Sequence, residues 1–240
     1  MPMTASIEPT GNPLLQTWTG RHGLPPFERV TAAHFEPAFD VALQQHLAEI
    51  DAIAQAAEQP SFENTVVAFD ASGRLLSRIS LMFHNLTASE TSPALQEAEQ
   101  RMSPRLAAHE NATYMHAALF ARIDALYEQR DASRLDTEQM RLLERIHLDF
   151  VRAGARLASH QRTRYGAIMT QLAGLHTQFS QNLLAEEASY ALELHGEADL
   201  AGLPEFVRNA TRAAAVQRGL AEGTHVVTLS PSLAEPLLTF

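Results

Sequence analysis

The 240-residue chain contains no cysteine. This absence excludes disulfides, thiolate zinc sites, iron–sulfur clusters and cysteine nucleophiles, and it permits a reducing compartment. Lysine is absent too, so all 18 basic residues are arginine, and Schiff-base or lysine-base catalysis is excluded. No stretch approaches 18 consecutive apolar residues, and the first 20 residues lack a basic segment followed by an apolar run. We therefore expect a soluble cytoplasmic protein without a membrane span or secretory signal.

The charge balance restricts the classes of partner. The formal net charge is −10, whereas nucleic-acid binding requires clustered cations to neutralise phosphates. The same charge disfavours an anionic membrane surface. With 45% apolar and 19% charged residues the chain has a globular composition. We expect no nucleic-acid partner and no membrane partner.

Apolar residues recur every three or four positions over most of the chain, which indicates amphipathic helices. Residues 1–30 are rich in proline and are expected to form an extended arm, anchored by Leu14, Leu15, Trp18 and Phe27. Helices are predicted to begin near Glu36-Pro37, at Ser61 or Asn64, at Ser92-Pro93 and at Asp136 or Thr137.

Three local features affect these predicted helices: a glycine, an incomplete capping box and a proline. Gly73 falls in the middle of the second predicted helix, where a close helix crossing is one explanation for it. Ser61-x-x-Asn64 lacks the Glu or Gln of a full capping box, so the start of that helix is approximate. Pro104 is expected to kink or break the third helix, with a continuation from Tyr114 to Tyr127.

The longest periodic run follows Asp136. Two long helices, or one bent helix, fit it equally well, with a break around Ser159. One apolar face is predicted to include Leu143, Ile146, Phe150 and Leu157, and to continue through Ile168, Leu172, Leu175, Phe179 and Leu183.

Near the C-terminus the period changes from 3.6 to 2. The segments 190–195 and 224–230 alternate as strands do, and Pro204 to Leu220 reads as a helix between them. The predicted fold is therefore mainly α, a long-helix bundle with a short two-stranded β element. We expect an N-terminal arm at 1–30, a helical domain at 31–189, and a β-α-β element with the start of a helix at 190–240.

No complete catalytic motif is present in the sequence. A helical His-Glu-x-x-His zinc site requires two histidines one turn apart, but His109-Glu110-Asn111-Ala112 is followed by Thr113. His109 and His116 are two turns apart, and we interpret them as surface or interface histidines. No metal ligand, catalytic residue or substrate-binding residue is assigned.

Two further patterns have plain explanations. Glu144-x-x-His147 has the spacing found in di-iron bundles, but its only other copy, Glu222 to His225, spans a turn. Glu186-Glu187 diverge by about 100° on a helix and do not form an acid/base pair.

A row of arginines is less ordinary. Arg141, Arg145, Arg152 and Arg156 stack along one predicted helix face. The row is either a solvated face balanced by nearby acids, or a contact with an anionic group such as a peptide carboxylate or another domain.

Several segments resemble the N-terminal half of M3-type zinc metallopeptidases, the peptidyl-dipeptidase and oligopeptidase A group. They occur in order along the chain, and are found at 32–43, 61–80, 141–157, 177–190, 199–205 and 226–232. The match is closest to the peptidyl-dipeptidase branch.

The resemblance implies a helical, two-lobed zinc peptidase whose channel admits short peptides. Its ligands and general base belong to a catalytic half that no position here matches. We therefore expect this chain to be one channel wall, truncated before the catalytic domain, inactive alone and without bound zinc. Such a fragment should expose apolar surface where the catalytic half docks. The alternatives are a non-catalytic helical module that binds peptides or proteins, and a metal-binding bundle enzyme.

Overall fold

The computed structural model describes residues 11–239, except for the side chain of Ser159. Pro2 and Pro9 of the predicted arm lie outside the described residues. The predicted mainly α fold with a two-stranded sheet near the C-terminus is confirmed. The helices are α1 Phe35–Ala54, α2 Ala68–Asp70, α3 Arg74–Ser89, α4 Pro93–Tyr114, α5 Ala117–Glu128, α6 Thr137–Arg152, α7 Ser159–Ser189, α8 Gly196–Asp199, α9 Glu205–Gln217 and α10 Pro231–Thr239.

The chain divides into two compact units between Thr177 and Gln178, a position within α7. The boundaries predicted from the sequence, at residues 30 and 189, stay predictions. Within the described residues, no helix is both long enough and apolar enough to cross a membrane.

Several helix starts follow from local capping chemistry. The Ser92 side chain accepts a hydrogen bond from the Leu95 amide, and Pro93 occupies the first helical position of α4. The Asp136 side chain accepts a hydrogen bond from the Gln139 amide at the start of α6, and the Gln139 side chain accepts one from the Asp136 amide. The predicted break around Ser159 is also present, so α6 and α7 are two separate helices.

The segment that follows Pro60 begins with a π-helical turn, Phe62–Val67. The Ser61 hydroxyl accepts from the Asn64 amide at 3.1 Å, and Asn64 Oδ1 accepts from the Ser61 amide at 2.8 Å. Asn64 thus completes a capping box, and the prediction that the box would be incomplete is wrong. The Asn64 side chain is shorter than the usual Glu or Gln, but it still reaches the Ser61 amide. The buried Arg122 also donates to Asn64 Oδ1 at 3.1 Å and to the Ala56 carbonyl at 3.0 Å.

Gly73 is not in the middle of a helix, which corrects the prediction. It lies between α2 and α3 with a φ of 66°, a left-handed conformation that favours glycine. A Cβ atom at this position would lie 3.1 Å from the His46 ring. The Gly73 amide donates to Glu49 Oε2 at 2.7 Å, so the turn is fixed against α1.

Pro104 was expected to kink or break the third helix before a continuation at Tyr114. In the structure it does not break α4. The helix runs unbroken from Pro93 to Tyr114, and Pro104 removes only one backbone donor from it. Buried residues on both sides of the proline, including Met102 and Thr113, hold the two halves in place. The chain breaks instead at Met115 and His116, where the His116 side chain accepts from the Leu119 amide and starts α5.

The first unit contains two apolar clusters. The cluster around the Phe35, Phe39 and Phe83 rings joins α1, α3 and α4. The second cluster joins α1, α5, α6 and the π-helical turn, and its fully buried members include Ile50, Leu119, Ile123 and Phe150.

The described part of the N-terminal arm packs on the first cluster. Leu14 is fully buried, and Leu15 and Trp18 are partly buried against the cluster. Arg78 holds the arm by donating to the Leu14 carbonyl at 2.9 Å, with its guanidinium 4.6 Å from the Trp18 ring centre. Phe27 is 48% exposed, so it is not the anchor that was predicted.

The second unit contains the antiparallel pair β1 Leu192–Leu194 and β2 His225–Val227, in which Leu192 lies opposite Val227. Ala214 of α9, Val227 and Leu233 of α10 form its small core. The buried Thr211 hydroxyl of α9 is 2.8 Å from His225 Nδ1.

Candidate functional site

The apolar residues of α7 are exposed, and not buried as a continuation of the α6 face. In the first unit Ile168, Leu172 and Leu175 are 43%, 39% and 57% exposed. In the second unit Phe179 and Leu183 are 69% and 50% exposed. The prediction that these residues extend the α6 core face is therefore wrong, because between 39% and 69% of the surface of each residue stays accessible. Exposed apolar side chains at helical spacing are typical of a surface that binds another polypeptide.

The histidines tested for metal chemistry have other partners. In the described part of the chain, no group of three or more His, Asp or Glu side chains is placed to hold a metal ion. His116 Nε2 lies 3.1 Å from Asp51 while its Nδ1 caps α5. His109 Nε2 lies 2.8 Å from His46 Nδ1.

The His46–His109 pair belongs to a chain of hydrogen bonds. The Ser72 hydroxyl donates to the Phe69 carbonyl at 2.7 Å, so it accepts from His46 Nε2 at 3.2 Å. Neutral His46 then accepts at Nδ1 from His109 Nε2–H. Burial lowers the pKa of His109 to about 4, and the nearby His46 adds to this effect. Burial also lowers the pKa of His46.

His147 and His225, each the histidine of a Glu-x-x-His sequence, each have a hydrogen-bond partner within their own unit. His147 is 95% buried and lies 2.7 Å from Asp124 Oδ1, stacked on the Tyr127 ring at 3.7 Å. His225 bonds Thr211 in the second unit. Burial acts to raise the pKa of Asp124, but hydrogen bonds from His147 and Arg156 outweigh it and lower the pKa.

Three of the four arginines in the predicted row have carboxylate partners. Arg141 pairs with Glu144, Arg145 with Asp149 at 3.0 Å, and Arg156 with Asp124 at 3.0 Å. Arg156 lies in the turn after α6, so it is not on the helix face predicted for it. Arg152, in the last turn of α6, has no hydrogen-bond or ion-pair partner among the described residues.

Arg152 lines a groove of about 300 Å³ in the first unit. We call this the α4–α6–α7 groove, after the helices that supply its walls. Its polar and aromatic lining residues are Glu110, Asn111 and Tyr114 from α4, Asp149 and Arg152 from α6, and Tyr165 from α7. The volume is at the lower end of the range for small-molecule sites.

The polar groups of the groove are only partly satisfied. Asn111 Nδ2 is buried and has no hydrogen-bond partner in the described structure, which costs free energy unless a ligand or water pairs with it. Burial raises the pKa of Tyr114, and the negative charges of Asp149 and Glu110 add to this effect. The Tyr114 hydroxyl therefore stays protonated at neutral pH and can donate a hydrogen bond.

Of the lining residues, only Arg152 was singled out from the sequence for possible binding. Tyr114 is four residues after Glu110 and three residues after Asn111, so each of the two is its neighbour on the surface of α4. Arg152 and Tyr165 lie on other helices, about 40 to 50 residues further along the chain. The sequence carries no local signal that these helices meet, so their convergence is visible only in the structure.

Comparison with known proteins gives a consistent result. No protein-family model matches the chain. The chain is 38% identical to "Dipeptidyl carboxypeptidase" of Escherichia coli over 230 residues, which are 94% of the chain and 34% of that protein. It is 29% identical to "Oligopeptidase A" of Haemophilus influenzae over 231 residues, which are 95% of the chain and 33% of that protein.

A plant relative shows a slightly lower coverage. The chain is 26% identical to "Probable cytosolic oligopeptidase A" of Arabidopsis thaliana over 213 residues, covering 88% of the chain and 29% of that protein. The chain therefore spans about a third of the length of the curated relatives that it matches.

Proposed function

We propose that this chain, a homologue of the M3-type peptidases dipeptidyl carboxypeptidase and oligopeptidase A, is the N-terminal portion of a zinc metallopeptidase that cleaves short peptides. The homology itself confirms the resemblance predicted from the sequence. In the proposed enzyme the chain forms one wall of the substrate channel, and the reaction releases C-terminal dipeptides. The proposed location is the cytoplasm.

One observation carries this proposal. The similarity to dipeptidyl carboxypeptidase extends over 94% of the chain at 38% identity, yet it accounts for only 34% of that relative. The 240 residues contain no His-Glu-x-x-His sequence. A wall portion without its own catalytic residues is consistent with both facts.

We propose that zinc is bound by residues of the longer protein that lie outside this chain. A catalytic zinc polarises the scissile carbonyl and activates a water molecule. The described residues do not fit this role, because they present no set of three ligands. We derive no catalytic step for this chain and propose that it is inactive alone.

The exposed apolar residues of α7 support a docking role within the longer protein. The relatives are about three times as long as the chain, so their remaining length is sufficient for a further domain. We propose that this remaining part covers Leu172 and Leu175 in the first unit and Phe179 in the second. Burying such side chains contributes roughly 25 cal/mol per Å² of apolar surface.

The test compares the 240-residue chain with the product of the complete gene. Both are incubated with zinc and a peptide of five residues, and release of the C-terminal dipeptide is followed by mass spectrometry. We expect release by the longer product, loss of release after chelation, and no release by the chain alone. Circular dichroism on both samples shows that the proteins are folded.

Two results contradict the proposal. Hydrolysis by the folded 240-residue chain alone would show that its own residues are catalytic. A gene that ends at the codon for Phe240 would leave no catalytic portion, and the chain would then be a non-catalytic helical module that binds peptides or proteins.

A further inference from the structure

We propose that a pocket lined mainly by α3 and α4 binds a small neutral phenol, whose hydroxyl group donates a hydrogen bond to His109 Nδ1 and whose ring packs on the apolar side chains of the pocket. We call this the α3–α4 pocket. The inference rests on the lining of the pocket and on the hydrogen bonds of its histidines, and not on the proposed peptidase function. Its failure would leave that function untouched.

The α3–α4 pocket has apolar walls and a size that suits one aromatic ring. Its volume is about 260 Å³, and Phe69, Leu76, Leu106 and Tyr114 supply aromatic and aliphatic surface. An apolar cavity of about 150 Å³ is large enough to hold benzene. A single substituted ring therefore fits within the pocket.

The hydrogen-bond chain of His46 and His109 ends at an acceptor. The Ser72 hydroxyl accepts from His46 Nε2–H, and His46 Nδ1 accepts from His109 Nε2–H. A neutral histidine carries only one N–H group, so His109 Nδ1 is a hydrogen-bond acceptor. This atom has no hydrogen-bond partner among the described residues.

His109 Nδ1 is also accessible to a ligand. The His109 side chain is half-buried and lines the pocket. In the described structure, the fully buried side-chain polar atoms without a partner belong to Arg78, Asn111, Thr113 and Arg122, so His109 Nδ1 is not enclosed. An apolar ring that covered this acceptor without donating to it would leave it unpaired, whereas a phenolic hydroxyl would pair with it.

The charges around the pocket favour a neutral ligand. Burial lowers the pKa of His109 to about 4 and also lowers the pKa of His46, so neither ring offers a positive charge to an anionic ligand at pH 7. Glu110, the acidic residue of the lining, would repel an anion. Its side chain is exposed, so an ion pair with an ammonium ligand would contribute little.

The experiment measures binding of phenol to the 240-residue chain at pH 7 by isothermal titration calorimetry. The matched probe is anisole, which has the same ring but a methyl group in place of the hydroxyl hydrogen. We expect saturable binding of phenol at one site. The same titrations on the product of the complete gene guard against instability of the shorter chain.

The ratio of the phenol affinity to the anisole affinity tests the hydrogen bond. His109→Phe keeps a ring at this position but removes the acceptor, and it should lower the ratio at least about fivefold. His109→Leu gives the same comparison if the phenylalanine variant does not fold. His176→Phe, a change on the exposed surface of α7, is the control and should keep the wild-type ratio.

A second pair of variants locates the bound ring. Ser80 of α3 lines the pocket, so Ser80→Leu places a larger side chain there and should weaken phenol binding at least about tenfold. Ser77→Leu adds the same side chain at an exposed position of α3 outside the lining. This control should bind phenol as the wild type does.

Three results would overturn the inference. The first is the absence of saturable phenol binding by both folded proteins at millimolar concentrations, where the weakest specific affinities are measured. The second is an unchanged affinity ratio in the folded His109 variants. The third is normal phenol binding by Ser80→Leu, which would place the ligand elsewhere. Thermal melts of every variant separate a loss of binding from a loss of folding.

Discussion

Helices α6 and α7 carry the same sequence signal and have opposite surroundings. Both place apolar residues at intervals of three and four. On α6, Leu143 and Phe150 are 1% and 0% exposed, whereas Leu175 and Phe179 on α7 are 57% and 69% exposed. The difference shows that apolar periodicity predicts a helix and its apolar side, but does not say which part of a protein covers that side.

The surroundings of α6 explain its burial. The aromatic rings of Phe69, Tyr114 and Phe120 lie within about 6 Å of the Phe150 ring centre, so α6 packs against elements of its own unit. The described residues make polar contacts with α7 on the side opposite its apolar residues. There the Ser103 hydroxyl donates to the Ala173 carbonyl at 3.1 Å. We interpret the exposed side as the surface that the remainder of the proposed longer protein covers.

Truncation of one aromatic residue in each helix should give the largest difference in the free energy of unfolding between changes in α6 and changes in α7. Phe150→Ala should lower the free energy of unfolding of the 240-residue chain by about 3–5 kcal/mol, because it leaves a cavity in the second cluster. Phe179→Ala should change it by less than about 0.5 kcal/mol, as expected for an uncovered side chain. Urea unfolding followed by circular dichroism measures both. Equal losses would contradict the difference in burial.

Glycine substitutions extend the comparison to the backbone, with Gly73 in the packed turn before α3 and Gly166 in the exposed helix α7. Gly73→Ala should destabilise by about 1–3 kcal/mol, because φ is positive and a Cβ would meet the His46 ring. Gly166→Ala in α7 should stabilise by about 0.5–1 kcal/mol, because nothing lies within 4 Å of that Cβ position. Thermal melts suffice for both variants. A neutral Gly73→Ala change would mean that the turn before α3 relaxes freely.

A smaller effect concerns pH. The pKa of His109 is lowered to about 4 from the ordinary value of 6.5, so between these values the unfolded chain binds more protons than the folded chain. The stability contributed by neutral His109 is fully present above pH 6.5 and is lost as the pH falls towards 4. A proton added at His109 Nδ1 leaves the hydrogen bond from His109 Nε2–H to His46 intact, whereas protonation of both rings places two N–H donors face to face.

The measurement for this effect is the urea midpoint at pH 7 and pH 4.5 for the wild type and two variants. His109→Gln should reduce the pH dependence, whereas His176→Gln, a change on the exposed surface of α7, should leave it as in the wild type. An unchanged pH dependence in His109→Gln would show that the His46–His109 pair is not the source of the pH-dependent stability.

Features that depend on local chemistry could be predicted from the sequence. The caps at Ser92 and Asp136, the separation of helices near Ser159 and the two short strands are all present. Each rests on a few neighbouring residues whose hydrogen bonds or backbone angles are decided within one turn.

Features that depend on distant residues could not be predicted in this way. Gly73 is explained by His46 and Glu49 of another helix. Pro104 is tolerated because α4 is packed on both sides of it. The α4–α6–α7 groove requires three helices to meet, and Arg152 is distinguished from the other arginines of its row only by the positions of their acidic partners.

The central claim is that the apolar side of α7 is covered by the remainder of a longer peptidase. The natural chain lacks cysteine, so Leu175→Cys and Phe179→Cys each introduce a single thiol, and Leu143→Cys is the buried control. The measurement is the rate of maleimide labelling in the 240-residue chain and in the complete gene product freed of other cysteines. We predict fast labelling of both α7 thiols in the chain, at least tenfold slower labelling in the longer protein, and slow labelling of the control in both. Equal rates at the α7 positions in the two proteins would contradict the claim.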